Sequence, residues 1–271
     1  MDERQSTGPR LSVRDVRFKH GPQLVLDSVT LDFAPGRHYA VLGPNGAGKS
    51  TLLDLLSRLA RPASGSILVE GRNISEYTPG GLARLVSLAP QECRLDFPFT
   101  IREVARMGRR PYLGRWGCLD VEDERAVERA IAGLHLGSIA DKPVTALSGG
   151  ERRRAVVART VAQDAPIMLL DEPTSGLDVA QALSVMALMK RFAGEGRLVV
   201  TVSHDLDLAA AFCHEAVFLK AGRVAAAGPI GECFTPDILA AVYDAEAAVR
   251  PDPFLGGLSA SFRPRKAENG S

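Results

Sequence analysis

The chain has 271 residues, 45% hydrophobic and 24% charged, the profile of an ordinary globular protein with ample size for a core. A formal net charge of +1 gives no bulk electrostatic reason to expect nucleic acid as a partner. The four cysteines, Cys93, Cys118, Cys213 and Cys233, lack the spacing of a zinc ribbon and fit a reducing compartment, and no window approaches the ~20 apolar residues of a membrane span.

Taken in order, Met1–Arg10 reads as a frayed polar tail with no apolar segment behind it, so no secretory signal is expected. Leu11-Ser12-Val13-Arg14-Asp15-Val16 alternates as a half-buried strand, and Val29-Thr30-Leu31-Asp32-Phe33 alternates again after a Gly-Pro turn. The pair predicts a small β layer beside a parallel core. Arg37–Leu42 reads as a short strand, Ser50–Leu59 as a helix, and Gly65–Val69 and Leu85–Ala89 as strands, with Gln91 just past Pro90. From about Asp96 the pattern turns helical: Thr100–Met107 behind Thr100 as N-cap, Val121–Leu134 behind Asp120, and Ser148–Ala162. Residues 96–164 therefore read as a helical insertion in an α/β core. Ile167–Leu170 returns to a buried strand; Val179–Phe192 is a helix, Leu198–Val202 a strand and Asp205–Ala211 a short helix. Ala216–Leu219 and Arg223–Ala226 pair across Lys220-Ala221-Gly222. Pro236–Tyr243 is a last helix, and Val249 with Leu258–Phe262 forms a terminal hairpin before the polar tail 263–271.

The chemistry concentrates in three stretches. Gly43-Pro44-Asn45-Gly46-Ala47-Gly48-Lys49-Ser50-Thr51 fits G-x-x-x-x-G-K-[S/T] between strand and helix. Its glycines let successive N–H groups converge on a phosphate, Lys49 adds a point charge, and Ser50 offers a hydroxyl to Mg²⁺. Ile167-Met168-Leu169-Leu170-Asp171-Glu172 is a buried strand ending in two carboxylates. Asp171 is placed to hold Mg²⁺ through water and Glu172 to polarise an attacking water. In Leu147-Ser148-Gly149-Gly150-Glu151, Ser148 and Glu151 make a capping box, which leaves two glycines in a first helical turn unexplained. Glycines there let a ligand approach the positive end of a helix.

On these motifs the chain resembles the nucleotide-binding subunits of ABC transporters, with Leu147–Glu151 as the family signature, over nearly all of residues 11–262. The resemblance implies an α/β fold, a phosphate-loop ABC ATPase core with an antiparallel β subdomain and a helical subdomain. It implies ATP and Mg²⁺ as cofactors and a head-to-tail homodimer of ATPase subunits. Each ATP would lie between Gly43–Thr51 of one subunit and Ser148, Gly149 and Gly150 of the other, with Asp178 of Ser175-Gly176-Leu177-Asp178 organising the opposite site. Gln91 would touch Mg²⁺, with Ser50 and Asp171, and the attacking water. His204 in Val202-Ser203-His204-Asp205 would contact the γ-phosphate and hold Glu172. His20, in Phe18-Lys19-His20-Gly21, stands where the family stacks an aromatic on adenine, with Phe18 as the alternative. Arg153 stands where Gln is common. Arg152-Arg153-Arg154 reads as a solvated, partly snorkelling helix face, and Met186 and Met189 as core filler.

Arg110-Pro111-Tyr112-Leu113-Gly114-Arg115-Trp116-Gly117 and Thr235–Tyr243 resemble importers of iron–siderophore, haem and vitamin B12, and more loosely zinc and manganese importers, although Asp178-Val179-Ala180-Gln181-Ala182 lacks the His-Gln pair frequent in that branch. The expectation is an importer ATPase at the cytoplasmic face of the inner membrane, bound to integral membrane permease subunits and indirectly to a substrate-binding protein, without nucleic acid. A non-transport ABC ATPase is the rival; a plain phosphate-loop kinase would lack Leu147–Glu151.

Overall fold

In the computed structural model, which describes residues 11–93, 97–114 and 117–265, the chain opens with a long hairpin, β1 (Leu11–His20) and β2 (Gln23–Phe33). Both strands outrun the alternation that predicts them. Asp15 and Ser28 take left-handed φ of 46° and 53°, and the register shifts between Val13 and Val16 and again before Phe18. Such bulges change which face a side chain takes and hide a strand from a period-two reading.

The chain continues with β3 (His38–Leu42), α1 (Lys49–Leu56), β4 (Ser64–Val69), β5 (Arg72–Asn73), α2 (Pro79–Ala83) and β6 (Val86–Ala89). A four-stranded antiparallel sheet runs in the order β2-β1-β4-β5. α1 stops short of the expected Leu59 because Arg58 turns left-handed at φ 63°; Leu59 is left 70% exposed. α2 escaped the sequence reading because Gly80-Gly81 looks like a turn. Its signal is Thr78 as N-cap, accepting from the Gly81 N–H at 3.1 Å, followed by Pro79 at the first position.

Three helices form the next layer: α3 (Ile101–Met107), α4 (Val121–Gly133) and α5 (Gly149–Ala162). Each starts on a reciprocal capping box, Thr100 with Glu103, Asp120 with Asp123, and Ser148 with Glu151, which satisfies donors that a helix start leaves open. Ile101, Val104, Val127, Ile131 and Val157 meet in one core cluster. The expectations that fall on Met1–Arg10, Asp96, Arg115, Trp116 and the residues past Arg265 lie outside the described residues.

The remaining elements are β7 (Ile167–Asp171), α6 (Val179–Gly194), β8 (Leu198–Val202), α7 (Leu206–Phe212), β9 (Glu215–Lys220), β10 (Arg223–Pro229), α8 (Ile230–Cys233), α9 (Pro236–Tyr243), β11 (Glu246–Asp252) and β12 (Gly257–Arg263). The six-stranded sheet runs β10-β9-β3-β8-β7-β6. It is parallel from β9 to β6, with β10 antiparallel at its edge. The central strands are buried throughout, as a sheet covered on both faces requires. The hairpin β11–β12 seats on α7, where the Ala260 N–H donates to Asp207 Oδ1 at 2.9 Å. Met186 and Met189 lie in the core.

Two of the three arginines in the Arg152–Arg154 run of α5 depart from expectation, while Arg152 stays half-buried. Arg153 and Arg154 are buried, and Arg154 Nη1 donates to the Leu134 carbonyl at 3.1 Å. The following Ala155–Ala158 run is buried at every position. A helical stretch buried on all sides leaves Arg153 and Arg154 no solvent face along which to snorkel.

Candidate nucleotide site

Sheet order assembles the site. β3, β8, β7 and β6 lie side by side, and their carboxyl ends lead into the phosphate loop, His204, Asp171–Glu172 and Gln91 respectively. Ligands of open parallel sheets bind at that edge. Residues far apart in the chain therefore meet without any of their loops being long.

The phosphate loop bends through Gly43, Gly46 and Gly48 at φ of 141°, 77° and 97°. Two of these glycines are also enforced by space. A Cβ on Gly43 would sit 2.1 Å from the Leu219 carbonyl oxygen of β9, and one on Gly48 would sit 2.6 Å from Leu26 Cδ2 of β2. Asn45 and Gly46 are exposed at the tip, with Pro44 half-buried, while Ala47 is buried and its N–H donates to the Pro44 carbonyl at 3.3 Å. Lys49 Nζ bridges the carbonyls of Gly43 and Pro44 at 2.8 and 2.9 Å. Burial lowers its pKa, against the pull of Glu172 and Asp171. Ser50 is exposed and Thr51 half-buried at the start of α1.

Beside the loop, burial raises the pKa of Asp171, and the Ser50 hydroxyl pulls it back. Asp171 Oδ1 is buried with no hydrogen-bond partner. Glu172 follows in a left-handed conformation, φ 48°. Glu172 Oε2 lies 3.3 Å from Gln91 Nε2 and 3.4 Å from His204 Nδ1. The geometry thus joins Gln91, Glu172 and His204 around one carboxylate oxygen and sets Asp171 and Ser50 next to it.

The other candidates lie elsewhere. Ser148 and Gly149 are exposed at the start of α5, and a Cβ on Gly149 would meet open space. A Cβ on Gly150 would come 3.2 Å from the Gly176 carbonyl, so the Ser148–Gly150 turn abuts the Ser175–Asp178 loop. Asp178 caps α6, accepting from the Gln181 N–H at 2.8 Å. His20 is exposed at the end of β1 and Phe18 half-buried. Tyr112 sits under Arg109, whose guanidinium carbon is 4.0 Å from the ring centroid. Arg153, buried like Arg154, also departs from the sequence expectation: its guanidinium donates to main-chain carbonyls of Pro90, Gln91, Asp171 and Glu172. The buried apolar run after it was the available signal.

The sequence model of the ABC transporter family matches residues 26–175, which spans the phosphate loop, the signature turn, Asp171 and Glu172. The hemin import ATP-binding protein HmuV of Streptomyces coelicolor is 44% identical over 243 residues, 90% of this chain and 86% of that protein. The cobalamin import ATP-binding protein BtuD of Halobacterium salinarum is 41% identical over 241 residues, 89% of this chain and 60% of that protein. A solved metal-chelate type ABC transporter in an inward-facing conformation superposes with a TM-score of 0.80 at 27% identity, covering 96% of this chain and 99% of that one. Fold, site geometry and these likenesses agree, and the chain belongs to the ABC transporter family as one of its ATP-binding subunits.

Proposed function

We propose that this chain is the ATP-hydrolysing subunit of an importer for an iron chelate or cobalamin. The observation that carries the reading is Glu172 Oε2, faced by Gln91 and His204 beside Asp171 and Lys49. Glu172 acts as general base on the attacking water. Gln91 orients that water through its side-chain amide, and His204 holds the carboxylate and reaches the γ-phosphate. Lys49 turns from the Gly43 and Pro44 carbonyls to the β and γ phosphates, and the Gly43–Thr51 amides cradle them. Ser50, Asp171 and Gln91 are the residues that would hold Mg²⁺; the unpartnered Asp171 Oδ1 and the Ser50 hydroxyl fit a cation that seeks oxygen. When bound, Mg²⁺ neutralises charge on the β and γ phosphates. His20 stacks on adenine, and Ser148, Gly149, Gly150 and Asp178 serve the nucleotide of a second copy.

Importer function draws its support from the names of the relatives at 44% and 41% identity. Among the described residues no helix is long and apolar enough to cross a membrane. Work on a cargo therefore runs through permease partners, with this chain seated on their cytoplasmic face and a substrate-binding protein delivering cargo on the other side. Haem is the first candidate, with ferric siderophore and cobalamin behind it. Uptake of labelled haem, ferric siderophore and cobalamin in cells with and without the gene tests this. Loss of at least one supports the reading. Loss of zinc or manganese uptake alone replaces it with a metal-ion importer.

A further inference from the structure

Arg153 is 8% exposed, yet it carries a guanidinium beneath the nucleotide site. Nε donates to the Glu172 carbonyl at 3.1 Å, and Nη1 donates to those of Pro90 and Gln91 at 2.6 and 2.9 Å. Nη2 donates to the carbonyl of Asp171. The acceptors lie on two segments remote from each other in sequence, and Arg153 itself rides on a third. That third is α5, whose first turn carries Gly149 and Gly150.

Only an arginine fits this set. Its planar fork has five N–H donors in fixed directions, whereas glutamine has two and lysine has three on one atom. With either replacement some of these carbonyls lose their donor, and an unsatisfied buried polar group is costly. Glu172 gives the arrangement its consequence. A left-handed φ is uncommon for a residue with a side chain, and here both ends of the residue are held. Its N–H donates to the Val202 carbonyl at 3.0 Å, and its carbonyl accepts from Arg153. A main chain held at both ends sets where the carboxylate points.

We propose that Arg153 is a positioning residue for ATP hydrolysis: it locks the main chain of Gln91 and Glu172 to the signature helix, so that base and amide keep one geometry. The proposal rests on Glu172 being the base. It makes α5 more than packing, since the helix that presents Ser148–Gly150 to a second nucleotide also fixes the base that acts on this chain's own.

The test uses the full chain with Arg153→Gln, Arg153→Lys and Glu172→Gln. Turnover is measured against ATP concentration, and binding of a fluorescent ATP analogue at equilibrium. Small misplacement of a catalytic group costs up to about a hundredfold. Arg153→Gln is therefore expected to lose about tenfold or more in kcat while analogue affinity stays within about threefold. Arg153→Lys, which keeps the charge and some of the donors, should recover part of the loss. Arg153→Gln with wild-type kcat, or with kcat and binding lost together, overturns the proposal. If Arg153→Gln fails to fold, Arg153→Lys decides by the same split, and wild-type kcat there overturns it. Near-native hydrolysis by Glu172→Gln sinks the general-base reading itself. Inactive Glu172→Gln beside a normal Arg153→Gln sinks only the role of Arg153.

Discussion

Glu172 and Lys49 have different proposed roles, and their removal should fail at different steps. Glu172→Gln keeps the shape but removes the proposed base. It is expected to bind ATP with little change and to lose turnover by about a hundredfold or more, read by a steady-state phosphate-release assay. Lys49→Ala deletes the charge proposed to face the phosphates; a fluorescent ATP analogue should bind it more weakly, and unchanged binding would speak against the pose. A third residue acts on stability. His38 is fully buried, with Nε2 2.9 Å from Thr201 Oγ1. Burial, then the nearby His214, push its pKa down to about 3. An unfolded histidine titrates near 6.5, so below that pH the unfolded chain takes up a proton that the folded chain refuses. Stability from this group is complete above about pH 6.5 and falls by about 1.4 kcal/mol per pH unit toward pH 3. Urea unfolding between pH 7.5 and 4.5 should show that slope, and His38→Gln should flatten it while lowering stability at neutral pH.

Among the elements, one buried ion pair ties the helical layer together. Arg109 and Asp123 are buried and 2.8 Å apart, and Arg109 also donates to the Ala162 carbonyl at 2.9 Å. The pair ties the chain after α3 to α4 and to the end of α5. Breaking a buried pair by removing one partner costs about 3–5 kcal/mol because the other charge stays buried. Arg109→Met should therefore lower stability on that scale, and hydrogen exchange should show α3 and α4 losing protection before the six-stranded sheet does. The same helices explain what was legible in the sequence. α3, α4 and α5 announce themselves through Thr100, Asp120 and Ser148, because a capping box is a local signal. β7 and β8 announce themselves as short apolar runs. β1 and β2 were only half legible, since the bulges at Asp15 and Ser28 erase the alternation. In the site, motif order identified Lys49, Asp171, Glu172 and His204 as candidates. The four carbonyls gathered by Arg153 were invisible, because main-chain acceptors carry no residue signature and meet only in the folded chain.

At the scale of the molecule, Ser148 and Gly149 lie exposed to solvent, as the proposed sandwich with a second copy requires. Ser148→Arg on a Glu172→Gln background should leave analogue binding by the monomer intact and remove ATP-dependent dimerisation, read by size-exclusion chromatography with light scattering. Dimer formation at wild-type ATP concentration would rule out the sandwich. Another long-range relation acts in time. The phosphate loop takes its shape against the Leu219 carbonyl, which leaves no room for a side chain at Gly43, and β3 lies between β8 and β9. On the ribosome, the loop therefore leaves the exit tunnel long before its support exists. At about 5–20 residues per second that interval is on the order of ten seconds or more. During it, Lys49 and its neighbours form an unsupported segment exposed to chaperones and proteases. Stalled nascent chains ending before β9 should remain protease-sensitive at the loop, with ATP giving no protection, and those that expose β9 in full should be the first that nucleotide protects.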